Sequence, residues 1–96
     1  MEMENFDIKM FDKFFDAILK LESKEECRRF FEDVCTIKEL QDVSQRLEVA
    51  DLLNQGKNYQ EVSKATGAST ATICRVNKCL QYGKNGYKIV LKKKGN

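Results

Sequence analysis

Residues 58–82, NYQEVSKATGASTATICRVNKCLQY, decide the fold because their spacing is that of a helix-turn-helix. Counted from Tyr59, an apolar residue stands at the fourth position, a small one at the fifth, glycine at the ninth, and apolar residues at the fifteenth and eighteenth; these are Val62, Ser63, Gly67, Ile73 and Val76. The small residue lets the first helix approach the second, and glycine supplies the backbone freedom that a short turn needs. The stretch therefore predicts two packed helices joined at the glycine.

Capping residues mark the start of both predicted helices. Asn58 is followed three residues later by Glu61, which is a capping-box pattern, and Ser69 can accept a hydrogen bond from an amide near Thr72. Thr66 stands where an apolar residue is more usual. We expect the inward faces of the two helices to carry the apolar side chains of Val62, Ala65, Ile73, Val76 and Leu80.

The outer face of the second helix is small near its start and basic further along, since it is left with Ser69, Thr70, Ala71, Cys74, Arg75 and Lys78. Short side chains let a helix enter the DNA major groove, and basic ones reach phosphates or base edges. The pattern predicts DNA binding; the alternative is a plain helical hairpin. Base edges are expected next to Thr70, Ala71 and Cys74, with Gln60 and Ser63 nearby. Phosphates are expected next to Lys64, Lys78 and residues 92–94.

Charge is distributed unevenly along the chain. Residues 1–56 carry eight Lys or Arg against fourteen Asp or Glu, a net charge of −6, whereas residues 57–96 carry nine Lys or Arg against the single Glu61, a net charge of +8. The basic half contains the predicted helix-turn-helix. A polyanion would be attracted to that half and repelled by the other.

The run GASTATICRVNKCLQYG, residues 67–83, resembles the DNA-recognition region of the tryptophan repressor superfamily, and most of all its Trp-repressor-related YerC/YecD branch. The segments TIKEL (residues 36–40) and QRLEVA (residues 45–50) resemble that branch as well, so the similarity covers about residues 36–91. This resemblance implies an all-α TrpR-like domain that forms an intertwined homodimer, binds double-stranded operator DNA and regulates transcription. One domain is then expected over residues 1–96, with an acidic helical dimerisation part (1–56), the helix-turn-helix (57–82) and a basic carboxy-terminal arm (83–96).

Apolar periodicity and start signals predict three helices in the first half. They cover about residues 5–21, then from the capping pair Ser23 and Glu26 to about residue 35, then from the pair Thr36 and Glu39 to about residue 55. Five phenylalanines lie between residues 11 and 31. They form either the core of a monomeric bundle or a surface shared between two chains, and the family resemblance favours the shared surface.

The sequence changes character after Tyr82. Gly83 can end the second helix of the helix-turn-helix, and Asn85-Gly86 favours a turn. Residues 87–91 are mostly apolar and have a β-strand tendency. A short arm is predicted, unlike the repressor, which has another helix in this region. Either the arm packs back on the dimer through Tyr87, Ile89 and Leu91, or the end of the chain is disordered.

The resemblance also implies part of a ligand pocket. In the repressor, one arginine binds the tryptophan carboxylate and another lies against the indole ring; Arg75 and Arg46 match them, and Thr72 is kept. Val76 stands where the repressor has a glycine that leaves a slot for the ring, and Cys79 replaces a serine. We therefore expect DNA binding without a small molecule and no role for tryptophan. The alternatives are a smaller effector held by the two arginines, or ordinary ion pairs with Glu48 or Asp51, or phosphate contacts.

Other classes of protein find little support. No apolar run is long enough to span a membrane and no cleavable signal is present, so a cytoplasmic protein without membrane contact is expected. The spacing of Cys27, Cys35, Cys74 and Cys79 matches no zinc or redox pair, histidine is absent, and no metal or cofactor is predicted. Nothing in the sequence indicates an enzyme. The remaining alternative is a protein-interaction module whose acidic helices form a docking surface.

Overall fold

The computed structural model describes residues 7–92, and these form six α-helices and no strand. The all-α class is thereby confirmed, with three helices in the first half as expected. The start predicted for the first helix, at residue 5, lies outside the described residues. The helices are α1 (Ile8–Ile18), α2 (Lys24–Val34), α3 (Ile37–Asn54), α4 (Tyr59–Thr66), α5 (Thr70–Tyr82) and α6 (Gly86–Lys92).

The chain divides into two compact units, residues 1–37 and residues 38–96. In the first unit, Asp7 caps α1 by accepting hydrogen bonds from the Lys9 and Met10 amides. The capping pair predicted for α2 forms in a modified way. Ser23 Oγ accepts from the Glu26 amide at 3.0 Å, and the Glu26 carboxylate accepts at 2.8 Å from the Glu22 amide, one residue before the cap. Local signals thus place both helix starts.

Aromatic side chains fill the first unit without becoming buried. The rings of Phe14 and Phe30 stack with centroids 6.1 Å apart, and Phe30 meets Phe31 edge to face at 5.3 Å. Neither α1 nor α2 contains a buried residue, and Phe14 and Phe15 keep 36% and 47% of their surface exposed. This apolar surface is therefore not closed off within one chain's unit.

The second unit has a continuous core, formed by Val49, Ala50, Val62, Ala68, Ile73, Val76 and Leu80. The apolar positions of the helix-turn-helix pattern are all inside it, as predicted. The prediction was wrong for Ala65, which is exposed. The protected face of α4 runs through Val62 and the half-buried Ser63 and Thr66, and Ala65 lies on the opposite side of Val62 from these two, beyond the edge of that face. Ala68, in the turn, is buried instead.

The carboxy-terminal segment corrects another expectation, because residues 86–92 form a helix and not a β-leaning arm. Tyr87 and Leu91 lie four residues apart, which puts them on one helical face, and both pack against the core. Ile89 and Val90 stay exposed, so Ile89 does not join this packing as predicted. Tertiary contact overrides the strand tendency of the segment. The helix also contradicts a disordered end as far as residue 92.

The joint between α5 and α6 is tight. A Cβ at Gly83 would lie 2.5 Å from the Cys79 carbonyl oxygen, so glycine is needed here for space. Asn85 has a positive φ of 66°. Across residues 7–92, no helix is both long and apolar enough to cross a membrane.

Candidate nucleic-acid interface

The helix-turn-helix predicted from residues 58–82 is formed by α4 and α5, and both predicted caps are present. Asn58 Oδ1 accepts from the Glu61 amide at 2.8 Å, while Glu61 Oε1 accepts from the Asn58 amide at 2.9 Å, which completes a capping box. Ser69 Oγ accepts from the Thr72 amide at 3.2 Å and caps α5. The two helices therefore begin where local sequence dictates.

The turn between them combines a left-handed glycine with side-chain hydrogen bonds. Gly67 has φ 74°, a conformation that favours glycine, and its amide donates to the Ser63 carbonyl at 2.8 Å. Thr66 Oγ1 donates to the Val62 carbonyl at 2.7 Å and accepts from the Ala68 amide at 3.1 Å. Ser63 Oγ donates to the Ala68 carbonyl at 3.0 Å.

These bonds explain why Thr66 replaces the usual apolar residue. A hydroxyl that donates to the carbonyl four residues earlier can also accept a hydrogen bond from a backbone amide in the turn that follows the helix. Ser63 is half-buried with its proton directed to the turn, so it contributes to the structure of the helix-turn-helix. Its oxygen can still accept a hydrogen bond.

The outer face of α5 is open. Thr70, Ala71, Cys74, Arg75 and Lys78 are all exposed, and α5 carries no carboxylate. Within the described part of the chain, neither Arg75 nor Lys78 forms an ion pair or side-chain hydrogen bond. Glu61, the acidic residue of this half, is held in the capping box. The outer face of α5 is thus basic, and no acidic side chain neutralises its positive charges.

A cleft of about 350 Å³ lies beside this face, between the start of α4 and the start of α5. Each lining side chain can form hydrogen bonds and none is negatively charged: Tyr59, Gln60, Ser63, Lys64 and Thr70. Sequence reasoning missed Tyr59 as a candidate. Its position one turn before Ser63 on α4 was the signal that could have found it.

The residues of the implied effector pocket have different environments. Val76 is only 1% exposed and belongs to the core, while Thr72 and Arg46 are half-buried and Arg75 is exposed. Cys79 lines a mostly apolar cleft whose other walls are Gly83, Lys84, Gly86 and Tyr87 at the α5–α6 joint.

The surroundings of Arg46 and Arg75 also bear on the alternative of ordinary ion pairs. As far as residues 7–92 show, neither Arg46 nor Arg75 pairs with Glu48 or Asp51.

The four cysteines are free thiols, of which Cys35 is half-buried and the others exposed. In the same residues, no three side chains of the His, Cys, Asp or Glu type are grouped as metal ligands.

Comparison with known proteins identifies the family. The family model described as "Trp repressor protein" matches residues 9–95, and the chain belongs to the Trp repressor family. It is similar to a protein of Bacillus subtilis (strain 168) described as "Uncharacterized protein YerC", with 48% identity over 91 residues. That match covers 95% of this chain and 88% of the relative.

Two solved structures share the fold. One, described as a "putative Trp repressor from Staphylococcus aureus", has a TM-score of 0.90 and 47% identity, and covers 96% of this chain and 92% of its own. The other, a "TrpR like protein from Eubacterium eligens ATCC 27750", has a TM-score of 0.85 and 48% identity. The match covers 88% of this chain and 87% of that one. The resemblance first seen in residues 36–91 thus extends to the amino-terminal helices.

Proposed function

We propose that this protein is a sequence-specific, DNA-binding transcriptional regulator that inserts α5 into the major groove. One observation carries the proposal: the capped α5 presents an exposed basic face, without a carboxylate, on a helix-turn-helix whose inner face is packed. A plain helical hairpin does not need an uncompensated basic face. Family membership supports the same function.

The proposed contacts divide into two groups. Thr70, Ala71 and Cys74 have short exposed side chains near the start of α5, where a helix comes closest to base edges. Lys64 and Lys78 are exposed and flank this region, so they are assigned to phosphates. Gln60, Ser69 and Arg75 complete the interface, with Ser63 at its edge.

The experiment that tests this function is a selection of bound sequences from a pool of random double-stranded DNA. We expect one sequence motif to be enriched over successive rounds, with two half-sites related by twofold symmetry. A parallel selection on matrix without protein controls for sequences that bind the support. A bound pool with no enriched motif would contradict sequence-specific recognition.

We also propose that two chains form a symmetric homodimer. The support is apolar surface that one chain does not cover: Phe14 and Phe15 on α1, and Val43 and Leu47 on α3, are all exposed. In such a dimer the two α5 helices would lie about 34 Å apart, one turn of DNA.

The dimer predicts the mass in solution. We expect sedimentation at micromolar concentration to give twice the mass of the chain, because this apolar surface is covered only by a second copy. A compact monomer at that concentration would rule out the proposed assembly.

A second prediction concerns how phosphates are bound. Lys78→Ala should weaken binding to all DNA sequences alike, and should flatten the plot of log affinity against log salt by about one unit for each bound subunit, because one counterion fewer is released. The control is Lys13→Ala, an exposed lysine on α1, which should leave the slope unchanged. An unchanged slope for Lys78→Ala would remove that residue from the phosphate contacts.

A third prediction concerns tryptophan. Val76, on α5, is buried in the core, so its isopropyl group helps to fix the two helices of the helix-turn-helix without a ligand. Calorimetry with millimolar tryptophan should give no heat, and operator affinity should be equal with and without it. A tenfold tightening of operator binding by tryptophan would contradict this role of Val76. A smaller effector bound by Arg46 and Arg75 remains the alternative proposal.

A further inference from the structure

A hydrogen bond joins α3 to the helix-turn-helix. Gln45, in the middle of α3, donates from Nε2 to the main-chain carbonyl oxygen of Thr66 at 3.1 Å, and the two residues are 21 positions apart. Both belong to the unit of residues 38–96. The bond lies outside the apolar core formed by α3, α4 and α5.

The position of its acceptor gives this bond its importance. Thr66 is the last residue of α4, where helical carbonyls have no partner within the helix. The next residue, Gly67, has the positive φ that turns the chain toward α5. The Thr66 hydroxyl also connects Val62 and Ala68, on the two sides of the turn. A constraint on Thr66 therefore acts where the direction of α5 is set.

Apolar packing alone fixes this direction less well. The buried residues of α3 are Val49 and Ala50, whose side chains are small and whose contacts with the core have little directionality. A hydrogen bond restricts both the distance and the angle between its partners. Gln45 thus supplies a directional contact that the small core of this unit lacks.

We propose that Gln45 is a positioning residue for DNA recognition, which holds the helix-turn-helix at one orientation to α3 so that α5 meets the base edges at a single angle. The proposal rests on the proposed function and deepens it. It differs from a role in stability because the bond borders an open cleft, whose lining residues are all of polar or charged type: Gln41, Asp42, Ser44, Gln45, Glu48 and Thr66. Water in this cleft can satisfy the carbonyl when the amide is removed, so no buried group is left without a partner.

The test uses Gln45→Met, which keeps the length and neutrality of the side chain but has no donor. The matched control is Gln41→Met, an exposed position one turn earlier that borders the same cleft. Affinity for the selected operator and for random DNA is measured at a temperature at which a thermal melt shows each variant to be folded. We expect operator affinity of Gln45→Met to fall about tenfold and random-DNA affinity less than twofold. Gln41→Met should match the wild type.

Gln45→Glu provides a second variant, since its carboxylate has the same shape and cannot donate at neutral pH. It should lose the preference for the operator at least as strongly. Folded Gln45 variants with the full preference of the wild type would overturn the inference alone. A parallel loss of both affinities, with a falling melting temperature, would assign Gln45 a structural role only and overturn it as well. A wild-type protein that does not distinguish operator from random DNA would overturn the proposed function first, and the inference with it.

Discussion

Thr70→Glu combined with Arg75→Glu is expected to abolish DNA binding, lowering operator affinity more than about 100-fold. Loss of one charge-assisted hydrogen bond costs about 1.5–3 kcal/mol, and a tenfold loss of affinity corresponds to about 1.4 kcal/mol. In the proposed dimer both subunits would lose this contact together, and the new carboxylates would face phosphates. The fold should persist because both positions are exposed. Thr70 is also the first residue of α5, where a negative charge stabilises a helix.

The measurement is fluorescence anisotropy with labelled operator at fixed salt, together with a thermal melt of each variant. Lys13→Glu combined with Gln41→Glu is the matched control, since it makes the same change in net charge at exposed positions outside the helix-turn-helix. It should retain most of the affinity. Unchanged DNA binding by the Thr70 and Arg75 double variant would favour a protein-interaction module over a DNA-binding regulator.

Ile73→Ala is expected to have the largest effect on stability, lowering the free energy of unfolding by about 2–5 kcal/mol. Ile73 is 0% exposed, and its side chain is the largest of the fully buried ones among the described residues. The cavity would lie between the helices of the helix-turn-helix. A loss of this size is a large part of the stability of a small domain.

Urea denaturation at one fixed protein concentration measures this loss, because the apparent stability of the proposed dimer would depend on concentration. Ile89→Ala is the control: it deletes the same atoms from a side chain that is 54% exposed, and should cost about 0.5 kcal/mol or less. Equal costs for the two variants would contradict the central place of Ile73 in the core.

The helix-turn-helix could be predicted because its determinants are local. Within α5, helical geometry alone brings Ile73 and Val76 to one face, and Val62 marks the inner face of α4. Asn58 and Ser69 cap the helices with groups only three residues away. Signals between residues so close in sequence can be interpreted without knowledge of the rest of the chain. The exposed face of α5 followed from the same periodicity.

The features that sequence reasoning missed depend on contacts between distant segments. The helix Gly86–Lys92 forms where local preference favours a strand, because Tyr87 and Leu91 pack against the core. The bond from Gln45 to Thr66 joins residues with no recognisable pattern between them. Tyr59 was recognised through the cleft that it lines together with Thr70 of α5. The DNA contacts themselves stay predictions, since their partners lie outside the chain.

The uneven distribution of buried residues has a consequence for synthesis. Every buried side chain among residues 7–92 belongs to the unit that begins at residue 38, although the aromatic helices α1 and α2 leave the ribosome first. On the basis of the proposed dimer, we expect those helices to gain stable order only when a second copy is available. Until then their phenylalanines stay exposed to solvent, and chaperones that bind apolar segments would find a substrate in α1 and α2 of the nascent chain.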